Sequence, residues 1–269
     1  MSSYRWWGGR FSEPAESLSM LELVNFGSLN LRLAGILWLI MEHRASALVA
    51  AGPSNAGKST LLNALMDFLP PEVKQIQLEG QAEDFKFTEH SVPAVTYMVA
   101  AELSNFGFYL WGDEARMAFD LLSRGYGLGS TIHARTLKET IGILYNGLEL
   151  SLSLIANLDV IITISVTGDW RDATEPIRRV ETAGLLIGAE KDGLSLAIIA
   201  SRNQESGELV FGNDAEVYGA ISGRFGIKED QIEAEIQLRE QFLGNLLAEG
   251  KHSRNEVRDA VVEFYKDRL

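Results

Sequence analysis

The chain has 269 residues, of which 46% are hydrophobic and 23% charged, so a packed fold is expected and a disordered chain is excluded. It contains no cysteine, which excludes disulfides, thiolate metal sites and cysteine nucleophiles and favours a reducing, cytoplasmic compartment. Because the net charge is −13, no general binding to nucleic acid is expected.

The first part of the chain, residues 1–45, is predicted to be a helical lead-in. No secretory signal is expected at its start, and we interpret Trp6 and Trp7 as a segment that docks on a partner. Two helices are predicted between Leu18 and His43. The apolar run Leu33–Met41 is about half as long as the roughly 20 residues that a membrane-spanning helix needs, so we expect a buried helix there.

Residues 46–212 are predicted to form an α/β core in which strands alternate with helices. Short apolar runs that end near glycine or acidic residues indicate buried parallel strands, and apolar residues at helical spacing indicate the helices. The predicted strands are 47–51, 76–79, 95–99, 108–111 and 129–133, and the predicted helices are 59–68, 115–123 and 137–150. This alternation predicts a mostly parallel central sheet that is flanked by helices on both faces.

The composition changes after Leu158. Three β-rich runs, 160–164, 179–187 and 194–200, follow one another without helices between them, which predicts an antiparallel extension of the sheet. Residues 213–269 are predicted to form a C-terminal helical subdomain. Ser253 with Glu256 forms a capping box, which predicts the start of its last helix.

The strongest motif fits G-x-x-x-x-G-K-[ST] and lies between a predicted strand and a predicted helix. Its glycines let backbone amides converge on a phosphate, and the helix N-terminus behind it offers the positive end of a dipole. The lysine reaches the β- and γ-phosphates and the serine hydroxyl binds Mg²⁺, so ATP and Mg²⁺ are the expected ligands. The predicted binding residues are Gly52, Pro53, Ser54, Asn55, Ala56, Gly57, Lys58, Ser59 and Thr60.

A triphosphate site also needs acidic residues at the end of a neighbouring strand, to hold Mg²⁺ and to activate the attacking water. Asp113 and Glu114 follow the apolar run 108–111, and Glu79 ends the strand 76–79. We predict catalytic roles for all three and a metal-binding role for Asp113. Solvated surface carboxylates are the alternative for each, and the sequence leaves open whether Asp113 or Glu114 is the acid of a Walker B element.

A histidine follows the last predicted parallel strand. His133 lies in the run Ser-Thr-Ile-His-Ala at residues 130–134. A lone histidine at such a position is either structural or a group that contacts the γ-phosphate.

The order of these motifs resembles that of the type II/type IV secretion ATPases, the RecA-like motors of secretion, pilus and archaellum systems. In that family an acidic box follows the P-loop helix, Walker B ends in Gly-Glu, and a His box reads Ser-Thr-Ile-His-Ala. The resemblance covers roughly residues 20–269. It implies a RecA-like P-loop fold, ATP hydrolysis and a hexameric homo-oligomer. It also implies a membrane-embedded secretion or pilus platform as partner, at the inner face of the cytoplasmic membrane.

The resemblance also implies residue roles. Carried over by position, it makes Glu79 the general base for water, Asp113 the Walker B acid and His133 the sensor of the γ-phosphate. No arginine lies between Thr60 and Arg116, where the family places arginine fingers. Candidates to replace those fingers are Arg116, Arg124 and Arg135.

Other functions remain as alternatives to an ATPase motor. About 50 residues precede the P-loop, where the family has a separate N-terminal domain, and this with the missing finger arginines favours a nucleotide-binding adaptor with little hydrolysis. A GTPase is disfavoured because the run 203–206, Asn-Gln-Glu-Ser, is not a base-reading Asn-Lys-x-Asp motif. A nucleic-acid motor is disfavoured by the net charge.

Overall fold

Five strands that alternate with helices form the parallel half of the sheet. In this computed structural model, which describes residues 17–168, 175–191 and 193–268, they are β1 (Ala47–Ala51), β2 (Lys74–Gln77), β3 (Thr96–Val99), β4 (Gly127–Ile132) and β5 (Val160–Thr167). They lie in the order β2-β3-β4-β1-β5, and every neighbouring pair is parallel. The carboxyl ends of all five strands therefore meet at one edge of the sheet.

Three further strands extend this sheet in the antiparallel sense: β6 (Ile177–Glu190), β7 (Gly193–Arg202) and β8 (Leu209–Phe211). They pair in chain order on the outer side of β5, which gives a sheet of eight strands. The prediction of an α/β fold with a mostly parallel sheet and an antiparallel extension is confirmed. The short edge strand β8 was not predicted.

The helices lie before, between and after the strands. They are α1 (Met20–Asn25), α2 (Leu31–Glu42), α3 (Lys58–Met66), α4 (Gly112–Ser123), α5 (Leu137–Gly142), α6 (Leu152–Ile155), α7 (Asp214–Phe225), α8 (Glu229–Ala248) and α9 (Arg254–Lys266). The predicted capping box of Ser253 and Glu256 is formed at the start of α9. Helix α5 passes into a π-helical turn, Ile143–Gly147, so it ends earlier than predicted.

The two faces of the sheet belong to two different hydrophobic cores. On β1, Val49 packs into a core shared with the first three and the last three helices, whereas Leu48 packs into a core with α4, α5 and α6. Alternation along a strand sends successive side chains to opposite faces, and here both faces are covered. The expected buried helix at Leu33–Met41 is confirmed, because α2 buries all nine of these residues. No described helix is long and apolar enough to cross a membrane.

The predicted strand 108–111 is wrong. These residues lie in the connection between β3 and α4, where only Leu110 makes an isolated bridge, to Leu103. Phe108 is 80% exposed, so the apolar run does not enter the sheet. In this part of the chain the strand of the sheet is β3, whose carboxyl end lies at the same edge as the glycine-rich motif after β1. The residues that follow β3 are Ala100, Ala101 and Glu102.

An aromatic cluster joins the N-terminal and C-terminal helices. The Trp38 ring is fully buried and stacks on Phe68 with 5.1 Å between ring centroids, and it also contacts Phe242 and Phe264. Its Nε1 donates a hydrogen bond of 2.8 Å to the Tyr265 hydroxyl, which donates in turn to the Phe68 carbonyl. One side chain thus ties α2 to the end of α3, to α8 and to α9.

We expect Trp38→Ala to lower the free energy of unfolding by about 3–5 kcal/mol, because it removes a large buried ring and leaves a cavity. Urea unfolding followed by circular dichroism measures this change. Val92→Ala, which truncates an exposed apolar side chain, is the control and should change the free energy by less than about 0.5 kcal/mol. Equal effects of the two substitutions would contradict the packing described.

Candidate functional site

The glycine-rich loop turns back on itself between β1 and α3. Asn55 and Gly57 both have left-handed backbones, with φ of 59° and 89°, and Lys58 begins the helix directly after them. A Cβ atom on Gly52 would lie 2.6 Å from Cγ of Arg135, so the close approach of Arg135 requires glycine here. The first turn of α3 carries no acidic residue. Its free N–H groups and positive dipole end fit a phosphate group.

A cavity of about 1250 Å³ opens over this loop and is lined by it from Ser54 to Leu61. One wall consists of Glu102, Ser104, Phe106, Tyr109 and His133. The other wall consists of Leu18, Leu23, Phe26, Ser28, Ile164 and residues 175–180. Gly52 and Pro53 begin the loop but do not line the cavity. The volume is large enough for a nucleotide-sized ligand.

Three charged or titratable side chains meet at the bottom of the cavity. The Lys58 ammonium lies 3.8 Å from a carboxylate oxygen of Glu102 and 3.2 Å from Nε2 of His133. The same histidine nitrogen lies 3.4 Å from the other Glu102 oxygen. Because the Gly52 carbonyl can only accept, the 3.1 Å contact of His133 Nδ1 with it places a proton on Nδ1. Nε2 is then free to accept from Lys58 or to face a ligand.

The backbone beyond β3 fixes this arrangement. Past Val99 the chain continues beside β4: the Leu103 N–H donates to the Thr131 carbonyl at 2.7 Å. The Thr131 hydroxyl donates to the Ala101 carbonyl at 2.9 Å. These bonds hold Glu102 at the carboxyl end of β3 next to His133, which follows β4. The contact is therefore a product of strand order, because β3 and β4 are neighbours.

Lys58 is unusual for a lysine because only 7% of its side chain is exposed. Burial lowers the pKa of its ammonium group, and the nearby Glu102 carboxylate opposes that shift. The carboxylate is itself only 14% exposed. A phosphate at the loop would supply negative charge to the lysine in place of Glu102, which would leave the carboxylate free to act on a metal ion or on water.

The predicted acids lie away from this cluster. Asp113 and Glu114 are in the first turn of α4, and Asp113 is 93% exposed and pairs with Arg116 at 2.6 Å. Glu79 is exposed just after β2, which is one of the two edge strands of the sheet. Since neighbouring strands are about 4.8 Å apart, β2 lies about 14 Å from β1. None of these three carboxylates lines the cavity, whereas Glu102 does.

The arginines also differ in whether they lie at the glycine-rich loop. Arg116 is engaged by Asp113 and Glu149, and Arg124 is engaged by Asp120, and neither lines the cavity. Arg135 lies against Gly52 at the start of the loop. Arg178, on β6, donates a 2.9 Å hydrogen bond from Nε to the Asn55 carbonyl. The structure thus brings to the loop one predicted candidate, Arg135, and one arginine that was not predicted.

Sequence reasoning missed Glu102 although a signal was present. The predicted strand 95–99 is followed by two alanines and then by this glutamate, which is an apolar run that ends in an acid. The aromatic run 108–111 is also followed by acidic residues, so the sequence predicts the catalytic acids there and not at Glu102. Arg178 has no comparable signal, because it is 123 residues from its partner Asn55.

The donors around the loop fit Mg²⁺ that arrives with a nucleotide. Ser59 is half-buried, lines the cavity and supplies a hydroxyl oxygen, and Glu102 supplies a carboxylate. Hard oxygen ligands of this kind, completed by phosphate oxygens and water, are what Mg²⁺ prefers. Within the described ranges, no group of three or more histidine or carboxylate side chains could hold a metal ion alone.

Comparison with known sequences finds distant relatives. No protein-family model matches the chain. The uncharacterized protein MJ1287 of Methanocaldococcus jannaschii is 26% identical over 248 residues, which span 84% of this chain and 90% of the relative. The uncharacterized protein MJ0900 of the same organism is 25% identical over 279 residues, which span 94% of this chain but 50% of the relative. This chain thus spans about half the length of MJ0900.

The solved structures that this chain resembles include two secretion ATPases, both at low similarity. The VirB11 ATPase of the Brucella suis type IV secretion system, in complex with sulphate, gives a TM-score of 0.40 at 20% identity, over 63% of this chain and 57% of its own. The Legionella pneumophila ATPase DotB gives a TM-score of 0.35 at 10% identity, over 84% of this chain and 63% of its own. Because both TM-scores are below 0.5, neither structural similarity supports an inference about function.

Proposed function

We propose that this chain binds ATP with Mg²⁺ in the cavity over the loop and hydrolyses the bond between the β- and γ-phosphates. The observation that carries the proposal is the meeting of Lys58, Glu102 and His133 against a strand–loop–helix phosphate motif. A binding motif alone needs no buried carboxylate within reach of its lysine. A carboxylate and an imidazole at that point supply what hydrolysis requires.

Each side chain has a role that follows from its place. The loop amides and Lys58 bind the phosphates, and the Ser59 hydroxyl with Glu102 holds the metal directly or through water. When bound, Mg²⁺ neutralises phosphate charge and polarises the bond to be broken. Glu102 orients the attacking water and draws its proton, and His133 contacts the terminal phosphate through Nε2.

The roles predicted for Glu79, Asp113 and Glu114 stay predictions. We place Glu102 ahead of them because it lines the cavity and contacts Lys58, which they do not. To reach a phosphate bound at the loop after β1, the Glu79 side chain would need a movement of β2 or of the loop that follows β2.

The test is phosphate release from ATP by the purified protein, with Mg²⁺ and with excess EDTA. We expect steady release that depends on Mg²⁺ and stops with EDTA. Binding of ATP without any release would leave the nucleotide site in place and overturn the proposed hydrolysis in favour of an adaptor.

The order of motifs supports a wider proposal, that the chain acts as a cytoplasmic homo-oligomer on a membrane-embedded secretion or pilus platform. Phe106 in the cavity wall and Phe108, two residues further along the chain, are 79% and 80% exposed, as residues at a subunit contact would be in a lone chain. Light scattering with and without ATP measures the oligomeric state. A stable monomer in both conditions would contradict the motor and favour the adaptor.

A further inference from the structure

The wall of the cavity opposite His133 is formed by the start of β6. Because β4 and β5 lie on opposite sides of β1, His133 and Arg178 flank the loop from opposite sides. Besides the hydrogen bond from its Nε to the Asn55 carbonyl, Arg178 places its Cδ 3.3 Å from where a Cβ of Gly57 would be. The arginine side chain therefore lies across the phosphate-binding loop itself.

The guanidinium of Arg178 still has donors to offer. It carries five N–H donors, of which Arg178 uses two: one for the bond to Asn55 and one for a 3.4 Å bond from Nη1 to the Pro176 carbonyl. Among the residues that the structure describes, no carboxylate lies within ion-pair distance of Arg178. Acidic residues outnumber basic ones by 37 to 24 in this chain. An arginine that has no acidic partner among the described residues, and that lies on a phosphate loop, fits an anionic ligand.

The surroundings of Arg178 indicate which end of the nucleotide lies here. The same wall is apolar, with Leu18, Leu23 and Ile177, and it carries Phe26, whose ring is 66% exposed. Apolar and aromatic surfaces fit a base and a ribose. The opposite wall also carries Phe106 and Tyr109, but it is the wall that holds Glu102 and His133 beside Lys58, and these two side chains fit the phosphate that is transferred to water. The nucleotide therefore lies across the loop with its nucleoside end towards β6.

We infer that Arg178 binds the phosphate nearest the nucleoside, as a cation supplied to the loop by the same chain. The inference rests on the proposed function and adds the orientation of the nucleotide and a phosphate ligand. ATP and ADP share this phosphate, so the contact is the same before and after hydrolysis. Such an interaction contributes equally to ground and transition states, and its loss raises KM while kcat stays the same.

The test is the affinity of the full chain for Mg²⁺-ATP and for Mg²⁺-ADP, measured by competition with a fluorescent ATP analogue. We expect Arg178→Gln to weaken both by the same factor, about tenfold or more, because a charge-assisted hydrogen bond is lost. Arg178→Lys, which keeps the charge but loses the planar guanidinium, should have an affinity between those of the wild type and Arg178→Gln. Arg258→Gln is the control, since Arg258 is an exposed residue on α9 that does not line the cavity. Steady-state kinetics of the same variants should show the change in KM alone.

Two outcomes would overturn the inference while the proposed function stands. Unchanged affinity of Arg178→Gln would mean that Arg178 only braces the Asn55 carbonyl, a bond that glutamine can also make. A loss confined to ATP would place Arg178 at the terminal phosphate and reverse the orientation. A wild-type protein that binds neither nucleotide would reject the proposed function, and this inference with it.

Discussion

Replacing Lys58 by alanine is expected to weaken Mg²⁺-ATP binding about 10- to 100-fold and to reduce phosphate release to background. The reason is that a buried ammonium group at the start of α3 is lost as a charged hydrogen-bond donor to the phosphates, and such a bond contributes about 1.5–3 kcal/mol. Isothermal titration calorimetry and phosphate release measure the two effects.

The matched control is Lys74→Ala, which removes an exposed lysine from the edge strand β2. It should bind and hydrolyse ATP as the wild type does, and both variants should keep the wild-type circular dichroism spectrum. If Lys58→Ala binds ATP with unchanged affinity, the nucleotide does not use the loop and the site described here is wrong.

Replacing Glu102 by glutamine is expected to reduce kcat at least 100-fold without weakening ATP binding. A positioned general base contributes about 10²–10⁴-fold to a rate, and glutamine keeps the size of the side chain but cannot take a proton. Binding should hold, because the Lys58 ammonium no longer has a carboxylate that competes with the phosphates. The Ser59 hydroxyl, the phosphate oxygens and the amide oxygen of the glutamine still offer oxygen ligands to the metal. Single-turnover hydrolysis separates the chemical step from binding and product release.

Three variants serve as matched controls for Glu102→Gln: Asp113→Asn, Glu114→Gln and Glu79→Gln. Each changes one carboxylate that the sequence singles out but that does not line the cavity. We expect kcat within a few-fold of the wild type for Asp113→Asn and Glu114→Gln. Loss of activity in Asp113→Asn with full activity in Glu102→Gln would restore the assignment made from sequence. A loss in Glu79→Gln alone would indicate a movement of β2 during the reaction.

Those features of the fold that have local causes could be predicted from the sequence. The five residues of β1 form an unbroken apolar run, which is typical of a buried parallel strand. In the structure, side chains of β1 pack into both hydrophobic cores. The phosphate loop is a local motif with its own turn chemistry. The prediction of a strand at 108–111 is wrong because apolar composition does not determine whether a segment enters the sheet. Of these four residues only Leu110 is buried.

The candidate site was predicted only in part, for a physical reason. The loop, Lys58 and His133 belong to contiguous motifs, and the structure brings them together. Glu102 depends on β3 lying next to β4, and Arg178 depends on β6 folding back antiparallel beside β5. Strand order and pairing are set by the whole sheet, and no short stretch of sequence records them. Asp113 is exposed in α4 because the run 108–111 before it does not enter the sheet.

The central claim is that the terminal phosphate of ATP lies between Lys58, Glu102 and His133 on the loop. The most direct measurement is a structure of the chain with Mg²⁺ and a non-hydrolysable ATP analogue. We predict that the terminal phosphate contacts the Lys58 ammonium and that Glu102 lies within reach of the metal or the attacking water. A metal held by Asp113 or Glu114, or an analogue bound away from the loop, would contradict the account.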